Sequence, residues 1–237
     1  MAKFYGKDSA YLAKEQLKFF LSSAALVCLP LVIIYIVWKA APPVWTGASA
    51  IVLLILLMLV LEPLGNFWSA KANKFYRGGA GEKAVKKVLQ ELPEDFTVFE
   101  DVKIGERRGN IDFVVLGPGG VFVVEVKSHG GNIAYNGYSL TLNGRRFRDE
   151  NILRQVHGEV WALKRYLEQE LGEQIYVHAA LVFSHAYASM EFGLQPVENV
   201  YVIRKHDLPA LFNYVAPYRY PAARERVEAV LAKTVAG

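Results

Sequence analysis

Charge vanishes from two early stretches of the chain and then returns for good. Residues 19–38 contain no Asp, Glu, Lys or Arg, and after Lys39 the same holds for residues 40–61. The first run matches the ~20 residues a helix needs to cross a hydrocarbon core. AAPPVWTG joins the two runs, and Pro30 would at most kink the first. The pattern predicts a hairpin of two membrane helices. A secretory signal peptide is the competing reading of the first run. Its leader would be long, however, its apolar stretch exceeds the ~7–15 residues of a signal core, and a second apolar stretch follows at once. Lys3, Lys7, Lys14 and Lys18 precede the first run, and Lys71, Lys74, Arg77, Lys83, Lys86 and Lys87 follow the second, with only Lys39 between. Positive flanks stay inside, so both termini and the globular portion are expected in the cytoplasm, on a cell membrane crossed twice. The chain is thus divided into a cytoplasmic leader (1–18), a transmembrane hairpin (19–61), a juxtamembrane linker (62–77) with Phe67, Trp68 and Tyr76 as headgroup anchors, a globular domain (78–205) and a C-terminal helical extension (206–237).

From residue 78 the periodicity changes. GGAGEKAVKKVLQELPED reads as a helix entered through glycines and ended near Pro93, with Val85, Val88, Leu89 and Leu92 at helical spacing. Glu82, three residues before Val85, shares their inward face. It either complements the helix dipole or serves a site. Phe96–Ile104 reads as a strand leading through GERRG into GNIDFVVLGPGGVFVVEVKS, in which two β-branched and aromatic arms flank GPGG and form a hairpin. Short strands over 133–135, 138–142 and 146–147 follow, punctuated by Asn136-Gly137 and Asn143-Gly144. Residues 151–171 carry the stripe Ile152, Val156, Val160, Leu163, Leu167 and Leu171, an amphipathic helix with Gln155 on its flank and Asn151 and Glu159 as weaker neighbours. Strands over 175–184 and 200–204 and helices over 206–215 and 222–234 complete an α/β fold, a mixed sheet flanked by helices.

The hairpin carries the chemistry. Pairing Leu116 with Val121 sets Asp112 opposite Glu125, and strand alternation puts Lys127 on the face of Glu125. Opposed like charges destabilise a ladder, so either Lys127 neutralises the pair or a divalent cation sits between them. Hard cations take such oxygens, and Mg²⁺ is commonly held by one or two carboxylates together with a substrate phosphate. In a strand with apolar residues on both faces, these charges call for a reason.

An Asp on one arm with Glu-x-Lys on the next resembles the PD-(D/E)xK nuclease superfamily. More narrowly, GGAGE at 78–82, NIDFVVLGPGGVFVVEVKSHGG at 110–131 and the helix bearing Gln155 resemble NERD, the nuclease-related domain, over about residues 77–205. The resemblance implies a restriction-endonuclease-like fold and phosphodiester hydrolysis with Mg²⁺ or Mn²⁺. It makes Asp112 and Glu125 metal ligands, Lys127 the catalytic lysine, Glu82 the helix-borne acid and Gln155 the auxiliary polar residue; the Val126 carbonyl, between Glu125 and Lys127, is a further candidate ligand. Asn110-Ile111 stands where the superfamily's name would place Pro before Asp.

Composition adds little and excludes some classes. Net charge is +4 over 237 residues, compatible with an anionic partner such as DNA. Arg107 and Arg108 on the loop before the hairpin, and Arg145, Arg146, Arg148 and Arg154 among Tyr135, Tyr138 and Phe147, form either a phosphate track with stacking platforms or solvated surface. Cys28 alone permits no intrachain disulfide and no Cys-based zinc site. His129 lies two residues past Lys127 and reads as a loop residue, and the other histidines are scattered. There is no phosphate-cradling glycine loop, nucleophile elbow or internal repeat. The expectation is a membrane-anchored, metal-dependent nuclease, against the alternative of a non-catalytic module that tethers nucleic acid or a protein to the membrane.

Overall fold

A computed structural model of the chain describes residues 1–6, 78–105, 110–147, 152–215 and 223–235, with isolated positions 28, 32, 35, 39, 59 and 62. The expected hairpin (19–61) and linker (62–77) otherwise lie outside the described residues, as do Arg107, Arg108, Arg148 and Asn151. Among the described residues no helix is long and apolar enough to cross a membrane. The chain divides into two compact units, residues 8–76 and residues 1–7 with 77–237. The second unit holds the chemistry.

Its centre is a six-stranded mixed sheet in the order β1 (Lys3–Tyr5), β2 (Thr97–Val102), β3 (Ile111–Gly117), β4 (Gly120–Lys127), β8 (Val177–Phe183), β10 (Val200–Arg204). β2, β3 and β4 run antiparallel in sequence, whereas β4, β8 and β10 are parallel to one another. β5 (Gly131–Tyr135), β6 (Leu140–Leu142), β7 (Arg145–Arg146) and β9 (Ala188–Ser189) form a second, four-stranded sheet. Residues 78–90 are helical (α1). α2 spans Ile152–Leu171, α3 Leu208–Tyr214 after a 3₁₀ turn over Lys205–Asp207, and α4 Ala223–Val235.

Strand alternation sorts the core. On one face Val98, Phe113, Val115, Phe122 and Val124 meet Val85 and Leu89 of α1 and Leu208, Leu211 and Phe212 of α3. On the other, Phe99, Val114, Leu116, Val121 and Val123 meet Leu163 and Leu167 of α2 and Val227, Val230 and Leu231 of α4. Both faces are covered, which is why β3 and β4 read as nearly unbroken apolar runs. A third cluster seats the small sheet, through Ile133, Leu140 and Phe147, on Ile152 and Val156 of α2 and on Leu181 and Phe183 of β8.

The structure differs from the expectation in four places. The residues set apart as a leader supply β1, which pairs in parallel with β2 through Lys3↔Thr97, Phe4↔Val98 and Tyr5↔Phe99. Those set apart as a C-terminal extension supply α3 and α4, whose side chains complete both faces of the core. The hairpin turn is tighter than a GPGG loop: Gly117 pairs with Gly120, leaving only Pro118 and Gly119 between the arms. Finally, the buried stripe of α1 runs through Gly81, Val85 and Leu89, with Leu92 buried just past its end, and Glu82, expected on that face, is exposed.

Candidate active site

The ladder of β3 and β4 pairs Leu116 with Val121 and Phe113 with Val124, the register expected from the sequence. One step further it would oppose Asp112 to Glu125. There the side chain takes over from the backbone: Val126 N–H donates to Asp112 Oδ2 at 2.8 Å. That bond ties the Asp112 carboxylate to the next strand. By alternation Asp112 lies on the face of Val114 and Leu116, and Glu125 on that of Val121 and Val123, so both acids point to the α2 side of the sheet.

Glu125 is only 4% exposed. Its Oε1 accepts from Lys127 Nζ at 2.8 Å and from Gln155 Nε2 at 2.7 Å. Lys127 Nζ also donates to Gln155 Oε1 at 3.1 Å, so strand acid, strand amine and helix amide close a ring of hydrogen bonds. Gln155 reaches it because Ile152, Leu153 and Val156 anchor the first turns of α2 in the core and turn its flank to the end of β4. The same Nε2 donates to Glu159 Oε1 at 2.9 Å, one helical turn on. From the sequence alone Glu159 ranks as a weak neighbour of the site. Its spacing of four from Gln155 was the signal that could have promoted it.

Glu82 arrives from the opposite layer. Gly81 is buried where α1 meets the ends of β4 and β8, and a Cβ there would lie 2.6 Å from Ser184 Oγ and 3.3 Å from Ser128 Cβ. Ser184 N–H in turn donates to the Lys127 carbonyl at 3.0 Å. The glycine of GGAGE is therefore a contact residue, and it brings the next residue, Glu82, to the mouth of the site.

Electrostatics shows what is gathered there. Burial first, and then the charge of Glu125, push Asp112 up to about 8, against the lowering effect of the Val126 N–H. Burial and the Glu125 charge likewise raise Glu159 to about 7. Glu82 keeps access to solvent, yet the surrounding protein and the charges of Glu100 and Glu125 raise it too. These shifts describe acids short of positive charge. Glu125 Oε2 and Glu159 Oε2 are buried with no hydrogen-bond partner. Oxygen donors, an excess of negative charge and a buried bare oxygen fit a hard divalent cation. Among the described residues no three His, Cys, Asp or Glu side chains enclose a metal position by themselves, so water or substrate oxygens would complete the coordination.

The basic residues are more dispersed. Arg145, Arg146 and Arg154 are exposed. Arg146 and Arg154 line a cavity of about 350 Å³ with Tyr138, Phe147, His157 and Glu198, beside the small sheet and one residue from Gln155. His129 packs edge-on against Phe147, with ring centroids 5.3 Å apart.

Residues 77–184 match the family described as NERD, nuclease-related domain. Over 125 residues the chain is 31% identical to an uncharacterised protein of Bacillus anthracis, covering 49% of this chain and 58% of that one. It thus spans less than two thirds of that relative. No solved structure matches the chain.

Proposed function

We propose that the chain is a metal-dependent phosphodiester hydrolase acting on nucleic acid, DNA first among candidates, and anchored to the cell membrane through residues 19–61. The nuclease-related match supports the coarse reading. The observation that carries the finer one is the closed ring of Glu125, Lys127 and Gln155, with a bare, buried Glu125 oxygen and Asp112 tied beside it through Val126 N–H.

Asp112 and Glu125 would hold Mg²⁺ or Mn²⁺. The Val126 carbonyl would join them, since N–H and C=O of one strand residue project toward the same neighbour and its N–H already meets Asp112. Such an ion supplies Lewis acidity, polarising the phosphoryl group and offsetting developing charge. Val126 N–H and the Lys127–Gln155 bridge hold the two carboxylates, so neither must reorganise during the reaction. Lys127 has three N–H donors. Two are engaged by Glu125 and Gln155, and the third would meet a non-bridging phosphate oxygen or orient the attacking water. Glu82, at the open side, would position that water. Arg145, Arg146 and Arg154, with Arg107, Arg108 and Arg148, would guide the phosphate backbone.

Anchoring rests on the two apolar runs of the sequence, residues 19–38 and 40–61. β1 and β2 are neighbours in one sheet, so the chain leaving at residue 6 returns by residue 78 on the same side of any bilayer between them. Any crossings between them would then be even in number, and the two apolar runs would supply two. Reporters fused to each terminus should face the same compartment, the cytoplasm.

The deciding measurement is cleavage of single-stranded, duplex and branched DNA, and of RNA, by the full-length protein with Mg²⁺ or Mn²⁺, beside Asp112→Asn and Lys127→Met. Cleavage that needs the metal and is lost in both variants is expected. Metal-independent cleavage, or equal rates in the variants, would overturn the site. Salt-sensitive binding without hydrolysis would instead establish the tethering module, because phosphate contacts weaken steeply as salt rises.

A further inference from the structure

The cavity beside the small sheet joins four segments: the β5–β6 connection with Tyr138 and Ser139, Arg146 of β7, the first turns of α2 with Arg154 and His157, and Glu198 before β10. At about 350 Å³ it has the size of a small-molecule site. Its apolar lining, Leu140, Phe147, Ile152 and Leu153, is buried. Its polar lining is held in place. Asn136 Oδ1 accepts from the N–H groups of Tyr138 and Ser139 at 3.0 and 2.9 Å, which fixes the backbone of a Tyr138 that is 85% exposed. Glu198 and Asn199 both have left-handed backbones, with φ 47° and 62°, closed by paired bonds between Val197 and Val200 at 2.8 and 2.9 Å. A glutamate rarely adopts that conformation, and here Tyr135 Oη also donates to its carboxylate.

The same lining is short of partners. The guanidinium groups of Arg146 and Arg154 have no ion-pair or hydrogen-bond partner among the described residues, and Ser139 Oγ is buried with none. A plain anion would meet the repulsion of Glu198, and an apolar ligand would strand the two arginines. A nucleotide answers each part. Its phosphate suits the arginines, its flat base the apolar wall and Tyr138, and the N–H groups of its base edge the carboxylate. Bases inside a duplex are paired and stacked, so only an unpaired one can enter a concave site.

We infer that the cavity takes one unpaired nucleotide of the strand being cut, and that Glu198 favours guanine, whose pairing edge sets two N–H donors side by side for a carboxylate. The identity of that strand rests on the hydrolase reading proposed above. α2 joins the two places: Arg154 and His157 line the cavity, while Gln155 between them bonds Glu125.

Binding of fluorescently labelled oligonucleotides to the full-length protein in chelator, where no metal supports turnover, tests this apart from hydrolysis. A single strand containing guanine should bind more tightly than its blunt duplex and than an oligothymidine strand. Tyr138→Ala, at an exposed position, should weaken the single-strand complex by about 5- to 150-fold, the contribution of one base stack, and leave the duplex complex unchanged. Glu198→Gln, which keeps an acceptor for Tyr135, should erase the guanine preference. No single-strand binding, equal single-strand and duplex affinity in the wild type, or unchanged single-strand affinity in Tyr138→Ala would overturn the cavity as a nucleotide site. A guanine preference that survives Glu198→Gln would overturn the role of that carboxylate. Failure of metal-dependent cleavage with these binding differences intact would overturn the hydrolase reading and leave the cavity standing.

Discussion

Asp112 illustrates how a single carboxyl can be at odds with the fold that holds it. Its pKa in the folded protein, about 8, lies above the ordinary 3.8, and that of Glu159, about 7, above 4.5. The folded state therefore favours the protonated forms. Stability from these groups is full below the ordinary values and is lost as pH rises toward about 8. Thermal melts in chelator should show the transition falling between about pH 5 and pH 8, and added Mn²⁺ should flatten that slope. Asp112→Asn removes the charge and keeps the acceptor for Val126 N–H. It should raise the melting temperature at pH 8 in chelator, by about 2–4 °C for each kcal/mol relieved, while abolishing cleavage. A flat pH profile in chelator would remove the electrostatic basis of the site. Lys127→Met should act the other way. It strips the charged partner from a Glu125 that is almost wholly buried, which costs roughly 3–5 kcal/mol, and cleavage should fall by about 10²–10³. Equal cleavage in that variant would mean the amine has no part in the reaction.

At the scale of elements, the site depends on three close approaches. The hairpin of β3 and β4 sets the acids in register, the first turns of α2 deliver Gln155 and Glu159, and α1 comes near enough to present Glu82 only because residue 81 lacks a side chain. Gly81→Ala would drive a methyl into Ser184 Oγ and disturb the Ser184–Lys127 contact. Overpacking of this kind costs about 1–3 kcal/mol, and the displaced α1 should slow cleavage more than a surface change such as Lys83→Ala. A Gly81→Ala protein with wild-type melting and rate would show that the contact does not position α1. Much of this level could be read from residue order. The α2 stripe of Ile152, Val156, Leu163 and Leu167, the hairpin and the apolar run of β8 follow from the pattern of apolar positions, because burial on one face leaves a period and burial on two leaves a run. Gly81 could not be weighed this way. A glycine before a helix reads as an entry signal, and only the neighbouring Ser184 and Ser128 make it a contact.

For the whole molecule, the first residues matter more than their polarity suggests. β1 closes one edge of the sheet: Ala2 and Lys3 N–H groups donate to the Leu92 and Phe96 carbonyls, Tyr5 stacks on Phe99 at 4.9 Å, and Lys3 Nζ meets Glu228 of α4 at 2.6 Å. A fragment starting at residue 77 should therefore be less stable than the full chain, by on the order of 2–3 kcal/mol from the lost Phe4 and Tyr5 packing. Its β2 edge should be open to other strands. Supplying residues 1–6 as a peptide should recover part of the melting temperature, and a fragment as stable as the full chain would show that β1 contributes nothing. Assays of the globular portion alone are best made with β1 joined to it.

What residue order determined by itself is the local part: the apolar runs at 19–38 and 40–61, the strands and helices after residue 78, and the facing of Asp112, Glu125 and Lys127, because alternation and turn chemistry propagate over a few residues at a time. What only the tertiary structure decided joins distant segments. A three-residue strand is too short to carry a period, so β1 was hidden until β2 received it across more than ninety residues of chain. Glu159 likewise looked like one more charge on a helix until Gln155 tied it to a strand some thirty residues earlier, where burial left its oxygen without a donor.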